Sequence, residues 1–184
     1  SYIGPEITHP MYFEGSIGMA KAHLYRTAKV ITEKYAARNI RAYISVNKAL
    51  VTQSSAAIPI VPLYISILFK VMKAHGCHEG CIEQMYRLFA QKLYGGAVLT
   101  DGEGMIRLDD LEMQPEIQDE VTALWNKISQ DTLAECTDLD GYWKDFYALF
   151  GFGIDGVDYD ADVEVYRNKS AARLAVGRPT GNSG

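Results

Sequence analysis

Cysteine, basic charge and long apolar runs are all scarce in this chain, and each scarcity excludes something. Three cysteines, Cys77, Cys81 and Cys136, are too few and too irregularly spaced in 184 residues for a disulfide framework. Reduced thiols in a cytosol-like compartment are expected instead. Lysine and arginine number 18 against 23 aspartates and glutamates, and the net charge of −5 argues against nucleic-acid partners, which favour a basic surface. The most apolar stretch, residues 56–72, is interrupted by Pro59 and Pro62 and ends beside Lys70 and Lys73, so no membrane span is expected. No secretory signal opens the chain. No Gly-x-Gly-x-x-Gly follows a strand and opens a helix, so the common dinucleotide fingerprint is absent. The chain begins Ser1-Tyr2-Ile3-Gly4-Pro5 without a methionine, which reads as an excised or processed chain with an upstream part missing.

What is present points to an α/β fold that is mostly helical with two or three strands. Residues 1–15 are punctuated by Gly4, Pro5, Pro10 and Gly15 and read as loop. Ser16 is a candidate N-cap for a helix to about Ala37, with Ile17, Ala20, Leu24, Ala28 and Ile31 forming one buried stripe. Residues 41–52, with their β-branched apolar run, predict a buried strand and its turn. After Pro62 the residues Leu63, Ile67, Phe69 and Val71 belong to a helix apolar almost all round, hence buried. Residues 75–80 are a break, followed by a helix from Cys81 to about Leu93 that ends at Gly95-Gly96. Residues 101–110 read as a polar excursion with a short apolar centre. Further helices are predicted over 115–129, with Ile117, Val121, Leu124 and Ile128 on one face, and over 139–150. Residues 151–157 alternate glycine and apolar residues and predict a strand with turns. The basic tail from Arg167 is expected to be disordered. Two strands cannot form a stable sheet unaided, which again suggests that a larger parallel sheet has lost its first strands.

One pair carries chemistry. Tyr12 and Lys21 are nine positions apart, and on one continuous helix nine steps of about 100° would set them on opposite faces. Gly15 and a cap at Ser16 remove that objection, because Tyr12 can then fold back over the first turns of the helix that bears Lys21. An ammonium beside a phenol is expected to lower the phenol's pKa and make it a better proton donor to a developing oxyanion. On spacing alone, a packed tyrosine and a solvated lysine explain the pair more readily, since the chain holds 12 tyrosines.

The wording around the pair is more specific. YIGPEITHP followed by Tyr12 and, after eight residues, Lys21; then VNKALVTQSSAAIPIVPLYISILFKVMK; then HEGCIEQMYRLF; then TDLDGYWKDFYALFGFGIDGVDYDADVEV: over residues 1–166 these strings resemble the trans-2-enoyl-CoA reductases, including single-chain enoyl-acyl-carrier-protein reductases of the Tyr-x8-Lys type. The resemblance implies the C-terminal catalytic part of a short-chain-dehydrogenase-like Rossmann fold. It implies NADH-dependent reduction of the C2–C3 double bond of enoyl-CoA or enoyl-acyl-carrier-protein thioesters in fatty acid synthesis, in the cytoplasm or, for some relatives, the mitochondrion. Tyr12 then matches the catalytic proton donor and Lys21 the catalytic lysine that also contacts the nicotinamide ribose. Tyr2 matches a tyrosine at the substrate thioester, and Leu50, Val51 and Thr52 match the loop that touches NADH. Ile58, Ile65 and Phe69 fall in the acyl-chain wall. Ala22 stands where some members carry a second lysine, and the family's upstream glycine-rich fingerprint is absent, so this chain alone is expected to hold NADH poorly and to be inactive.

Rival readings remain. A non-catalytic helical module that binds acyl chains or serves assembly would use the same apolar text, and apolar surface left bare would drive self-association. His75, Cys77, His78 and Cys81 are soft ligands close in sequence, but they lack the paired spacing of a zinc site, so no metal is expected. No residue pattern calls for a flavin.

Overall fold

The computed structural model describes residues 1–162. The chain divides into two compact units, Ser1–Phe152 and Gly153–Gly184. The expected disordered tail, 167–184, lies outside the described residues.

The first unit is built around one helix. α4, Val61–Ala74, starts with Pro62 in its first turn, where the missing amide hydrogen costs nothing. Ile65, Ile67, Leu68, Phe69, Val71 and Met72 are buried, as the all-round apolar pattern predicts. α6, Pro115–Lys127, lays Ile117 and Val121 against it, and α8, Leu139–Ala148, adds Tyr142. Each fully buried aliphatic or aromatic side chain here contributes roughly 1.5–3 kcal/mol. α8 is capped by Asp138, whose carboxylate accepts from the Gly141 amide at 3.0 Å and also receives Lys73 from α4.

Two strands pair beside this layer. β1, Ile44–Val46, runs parallel to β2, Met105–Arg107, with Val46 opposite Arg107. The crossover between them carries α3 (Gln53–Ala56), α4, and α5 (Cys81–Arg87), which widens into a π turn over Leu88–Leu93. On the other edge of β1, Ser1 occupies the position of a third parallel strand. Its ammonium donates to the Ser45 carbonyl and its carbonyl accepts from the Asn47 amide, both at 2.7 Å. β1 is shorter than the predicted strand; the rest of that segment, 47–52, is a loop ending in a Thr52–Ser55 capping box on α3. β2 sits inside the stretch expected to be a polar excursion. Only Ile106 of its three residues is buried, so too few apolar residues mark it in sequence.

The N-terminal segment is a short 3-10 turn, Glu6–Thr8, then α1, His9–Tyr12, folded onto α2, Gly15–Lys34. Of the stripe predicted on α2, Ala28 alone is buried. Ile17, Leu24 and Ile31 are exposed, whereas Gly18 and Ala28 are buried. The cause is close backbone approach: a Cβ on Gly18 would stand 1.7 Å from the Phe13 carbonyl oxygen. α2 therefore docks through its smallest residues, which a count of apolar side chains overlooks. The cap is Glu14, not Ser16. A short helix, α7 (Leu133–Cys136), lies between α6 and α8.

The strand predicted over 151–157 is absent from the described residues. Gly151, Gly153 and Gly156 all take positive φ, between 70° and 82°, which turns the chain at every second or third residue. In the second unit the Ile154 amide donates to the Tyr159 hydroxyl at 2.8 Å and the Val157 amide to the Ile154 carbonyl at 3.2 Å, as expected for turns.

Leu68→Ala, at a fully buried position on α4, is expected to lower the unfolding free energy by about 2–5 kcal/mol. A urea melt checks this; a loss under about 1 kcal/mol would mean that α4 is not the keystone of the core.

Candidate functional site

Tyr12 is the last residue of α1, and the turn at Glu14-Gly15 brings it back over α2. Lys21, two turns into α2, places its Nζ 4.6 Å from the Tyr12 ring centroid. Tyr2 completes the group. Its ring meets Tyr12 edge-on, with centroids 4.9 Å apart at 83°, and its carbonyl accepts from Lys21 Nζ. The structure thus unites Tyr2, Tyr12 and Lys21.

The electrostatics differ from the expectation. The Lys21 ammonium lies over the ring face of Tyr12 and hydrogen-bonds the Tyr2 carbonyl. Burial raises the Tyr12 phenol above its ordinary value and lowers the Lys21 ammonium. Desolvation therefore outweighs the cation, and the Tyr12 phenol is held in its neutral form.

Tyr12 forms part of the wall of two clefts. The first, about 270 Å³, is bordered by Tyr2, Tyr12, Leu50, Thr52, Ile58 and Ile65. The second, about 330 Å³, is bordered by Ile3, Tyr12, Phe13, Met19 and Lys21. Two predicted site residues are not at a cleft wall. Val51 is buried in the core behind the loop. Phe69 is fully buried beneath His78, at 4.4 Å between ring centroids, and the Lys48 ammonium, at 4.9 Å. Ile65 lies on the same side of α4 one turn earlier, about 6 Å back along the axis, and borders the cleft; Phe69 lies past its end, covered by His78 and Lys48.

A buried polar network was not foreseen. Glu112, fully buried, accepts from Tyr2 Oη at 3.0 Å and Tyr64 Oη at 2.7 Å on one oxygen, and from the Ala49 amide at 2.7 Å on the other. Burial pushes its carboxyl up, against the three donors and Lys48, and holds the Tyr2 and Tyr64 phenols well above their usual range. Lys48 is also buried. Its Nζ donates to the Ala49 carbonyl at 2.9 Å, its amide donates to Gln84 Oε1 at 3.0 Å, and desolvation lowers the ammonium to about 8. A lysine inside the apolar run VNKALV was a faint sequence signal. Glu112 gave none, since it follows Asp109 and Asp110 like another solvated acid.

The soft side chains at residues 75–81 do not converge. His75 pairs with Glu120 at 2.8 Å while His78 packs on Phe69, and among the described residues no group of three His, Cys, Asp or Glu is set to hold a metal ion. Nor is any described helix long and apolar enough to cross a membrane.

A parallel α/β pairing with a Tyr–Lys couple at an apolar cleft defines the class of short-chain-dehydrogenase-like oxidoreductase folds. The chain belongs to the trans-2-enoyl-CoA reductase family: residues 1–94 match the family described as "Trans-2-enoyl-CoA reductase catalytic region". Residues 100–163 match a second, "Enoyl reductase FAD binding domain". A trans-2-enoyl-CoA reductase [NADH] of Ruminiclostridium cellulolyticum is 54% identical over 91% of this chain and 42% of its own length. An enoyl-[acyl-carrier-protein] reductase [NADH] of Flavobacterium psychrophilum is 55% identical over 93% of this chain and 43% of its own. The crystal structure of trans-2-enoyl-CoA reductase from Clostridium acetobutulicum in complex with NAD superposes with a TM-score of 0.85 at 47% identity, over 89% of this chain and 43% of that one. The chain therefore spans under half the length of these relatives.

The second match raises the question of a flavin, whose pyrophosphate the charges of this segment do not favour. A flavin dinucleotide needs cations or free amides at its pyrophosphate. Between residues 100 and 163 the basic side chains are Arg107, Lys127 and Lys144. Arg107 is held by Asp109, at 2.6 and 2.7 Å, and by Asp101. Acidic residues outnumber these three several-fold in that stretch.

Lys48 sets a pH dependence. Its folded pKa, about 8, lies below the ordinary 10.5, so the unfolded chain binds the proton more tightly. Its contribution is unfavourable below about pH 8 and is relieved as pH rises toward 10.5. Lys48→Met is therefore expected to be less destabilising at pH 7 than at pH 10, read as the difference from wild type in denaturant melts. The opposite trend would mean that the ammonium is stabilised where it lies.

Proposed function

We propose that these residues form the catalytic part of an NADH-dependent reductase of trans-2-enoyl thioesters, with the acyl group carried by coenzyme A or by acyl-carrier protein. The observation that carries this is the Tyr12 phenol, neutral and half-buried at an apolar cleft, with the Lys21 ammonium 4.6 Å from its ring centroid. NADH, when bound, supplies the hydride that adds at C3 of the substrate.

The chain's own groups handle the charge that follows. As C3 is reduced, negative charge develops on the thioester oxygen, and a donor aimed at it helps most in a dry site. Tyr12 is that donor. Its raised pKa keeps the proton on the phenol until the enolate forms. Lys21 faces the Tyr12 ring, where it stabilises charge passing to the phenol, and it is the group assigned to the nicotinamide ribose. Leu50 and Thr52 border the cleft and would contact the cofactor, with Val51 anchoring their loop in the core. Ile58 and Ile65 supply apolar wall for the acyl chain; Phe69 lies beneath that wall. The Tyr2 hydroxyl donates its hydrogen bond to Glu112, so Tyr2 serves the site through its ring. The phosphate-binding turn for NADH is assigned to the part of the relatives' length that these residues do not span. A cytoplasmic location goes with this reading, on the likeness to bacterial enoyl reductases.

The test is oxidation of NADH with crotonyl-CoA, in this chain and in one extended upstream to the relatives' length, each beside Tyr12→Phe. Turnover in the extended chain that drops about 10²–10³-fold in the Phe variant supports the reading. No turnover, or turnover indifferent to Tyr12, would reject it in favour of acyl binding without chemistry.

A further inference from the structure

Glu112 belongs to the segment matched by the second family region, yet its carboxylate lies among residues of the first. It sits between β2 and α6, fully buried, and three donors from three separate segments converge on it. Three donors on two oxygens, with no acceptor facing them, match an ionised carboxylate.

Tyr2 is fixed at both ends. Its hydroxyl donates to Glu112, and its carbonyl accepts from Lys21. Its phenol end packs on Gly4 so closely that a Cβ there would stand 2.5 Å from Tyr2 Oη. Between those anchors the ring presents itself to Tyr12. The Ala49 amide, the third donor, begins the loop that runs along the cleft through Leu50 and Thr52.

We infer that Glu112 is a positioning residue for the proposed reduction: through its hydrogen bond from Tyr2 it sets the Tyr2 ring against Tyr12. This rests on the reading of Tyr12 as proton donor. It also gives residues 100–163 a part in the site that needs no flavin. Glu112 touches no reacting atom; it acts through Tyr2. Glu112→Gln keeps the shape but puts an amide nitrogen where one oxygen now accepts, so either the phenols or the Ala49 amide lose their acceptor.

The experiment uses the upstream-extended chain. Glu112→Gln is expected to lower kcat roughly 10–100-fold, the scale of a small misplacement of catalytic groups, with KM for crotonyl-CoA within about twofold. In a Tyr2→Phe background the same change is expected to cost at least fivefold less, because the link is already cut. Equal losses in both backgrounds, or an unchanged kcat, overturn the inference. A second readout needs neither turnover nor a folded Glu112 variant. With tyrosine rings isotopically labelled and no substrate present, the Tyr12 signal, assigned through Tyr12→Phe, is expected to shift in Tyr2→Phe and, where it folds, in Glu112→Gln. A Tyr12 signal that does not move overturns the inference even if wild type turns over. A signal that moves in a wild type without turnover leaves the positioning intact and rejects the reduction.

Discussion

A carboxylate removed from water is tolerated only where donors replace its hydration, and the Glu112 carboxylate imposes that condition on the site. Its donors come from the N-terminal segment, from the loop after β1 and from α4. Gln118, one turn into α6, donates to its backbone carbonyl at 2.7 Å. Four segments far apart in sequence are thereby brought to one point with defined geometry. An apolar core would hold them together as well, but without fixing which hydroxyl points where. The buried Lys48 ammonium supplies compensating charge, at the cost of a lowered pKa of its own.

That arrangement alters how the Tyr–Lys couple works. Proximity of a cation suggested a more acidic phenol. The folded geometry gives a half-buried phenol with the cation 4.6 Å from its ring centroid, and burial sets the direction of the phenol's shift, upward. A neutral donor suits an oxyanion that appears only during reaction, because no standing charge has to be neutralised beforehand. The same reasoning separates the two family regions. The first carries the couple and the cleft. The second, dominated by acidic side chains, supplies α6, α8 and Glu112, and it is suited to support the first rather than to hold a pyrophosphate.

Patterns that depend on local burial were legible. α4 announced itself through apolar residues on every side, and α6 through Ile117 and Val121 one turn apart. Tyr12, Lys21, Tyr2, Leu50, Thr52, Ile58 and Ile65 were named from their strings, and the fold gathers them around two adjoining clefts. What escaped was set by contact. β2 has one buried residue, α2 docks through glycine and alanine, and Phe69 lies past the end of the cleft, in the core.

The amino-acid order alone determined where the longer helices run, where the apolar layer lies and which strings carry the family's chemistry; the four-residue helices α1, α3 and α7 escaped it. The first two follow from periodicity and composition, which act over a few residues; the third rests on the resemblance of whole strings to a family. The tertiary structure decided which face of α2 is packed, that Glu112 is buried rather than solvated, and that burial raises the Tyr12 phenol's pKa where a neighbouring cation would lower it. Those depend on desolvation and on partners up to about a hundred positions away, Tyr2 and Glu112 being the extreme case. No local pattern records such a distance, because the free energy of a buried charge is set by what surrounds it in space.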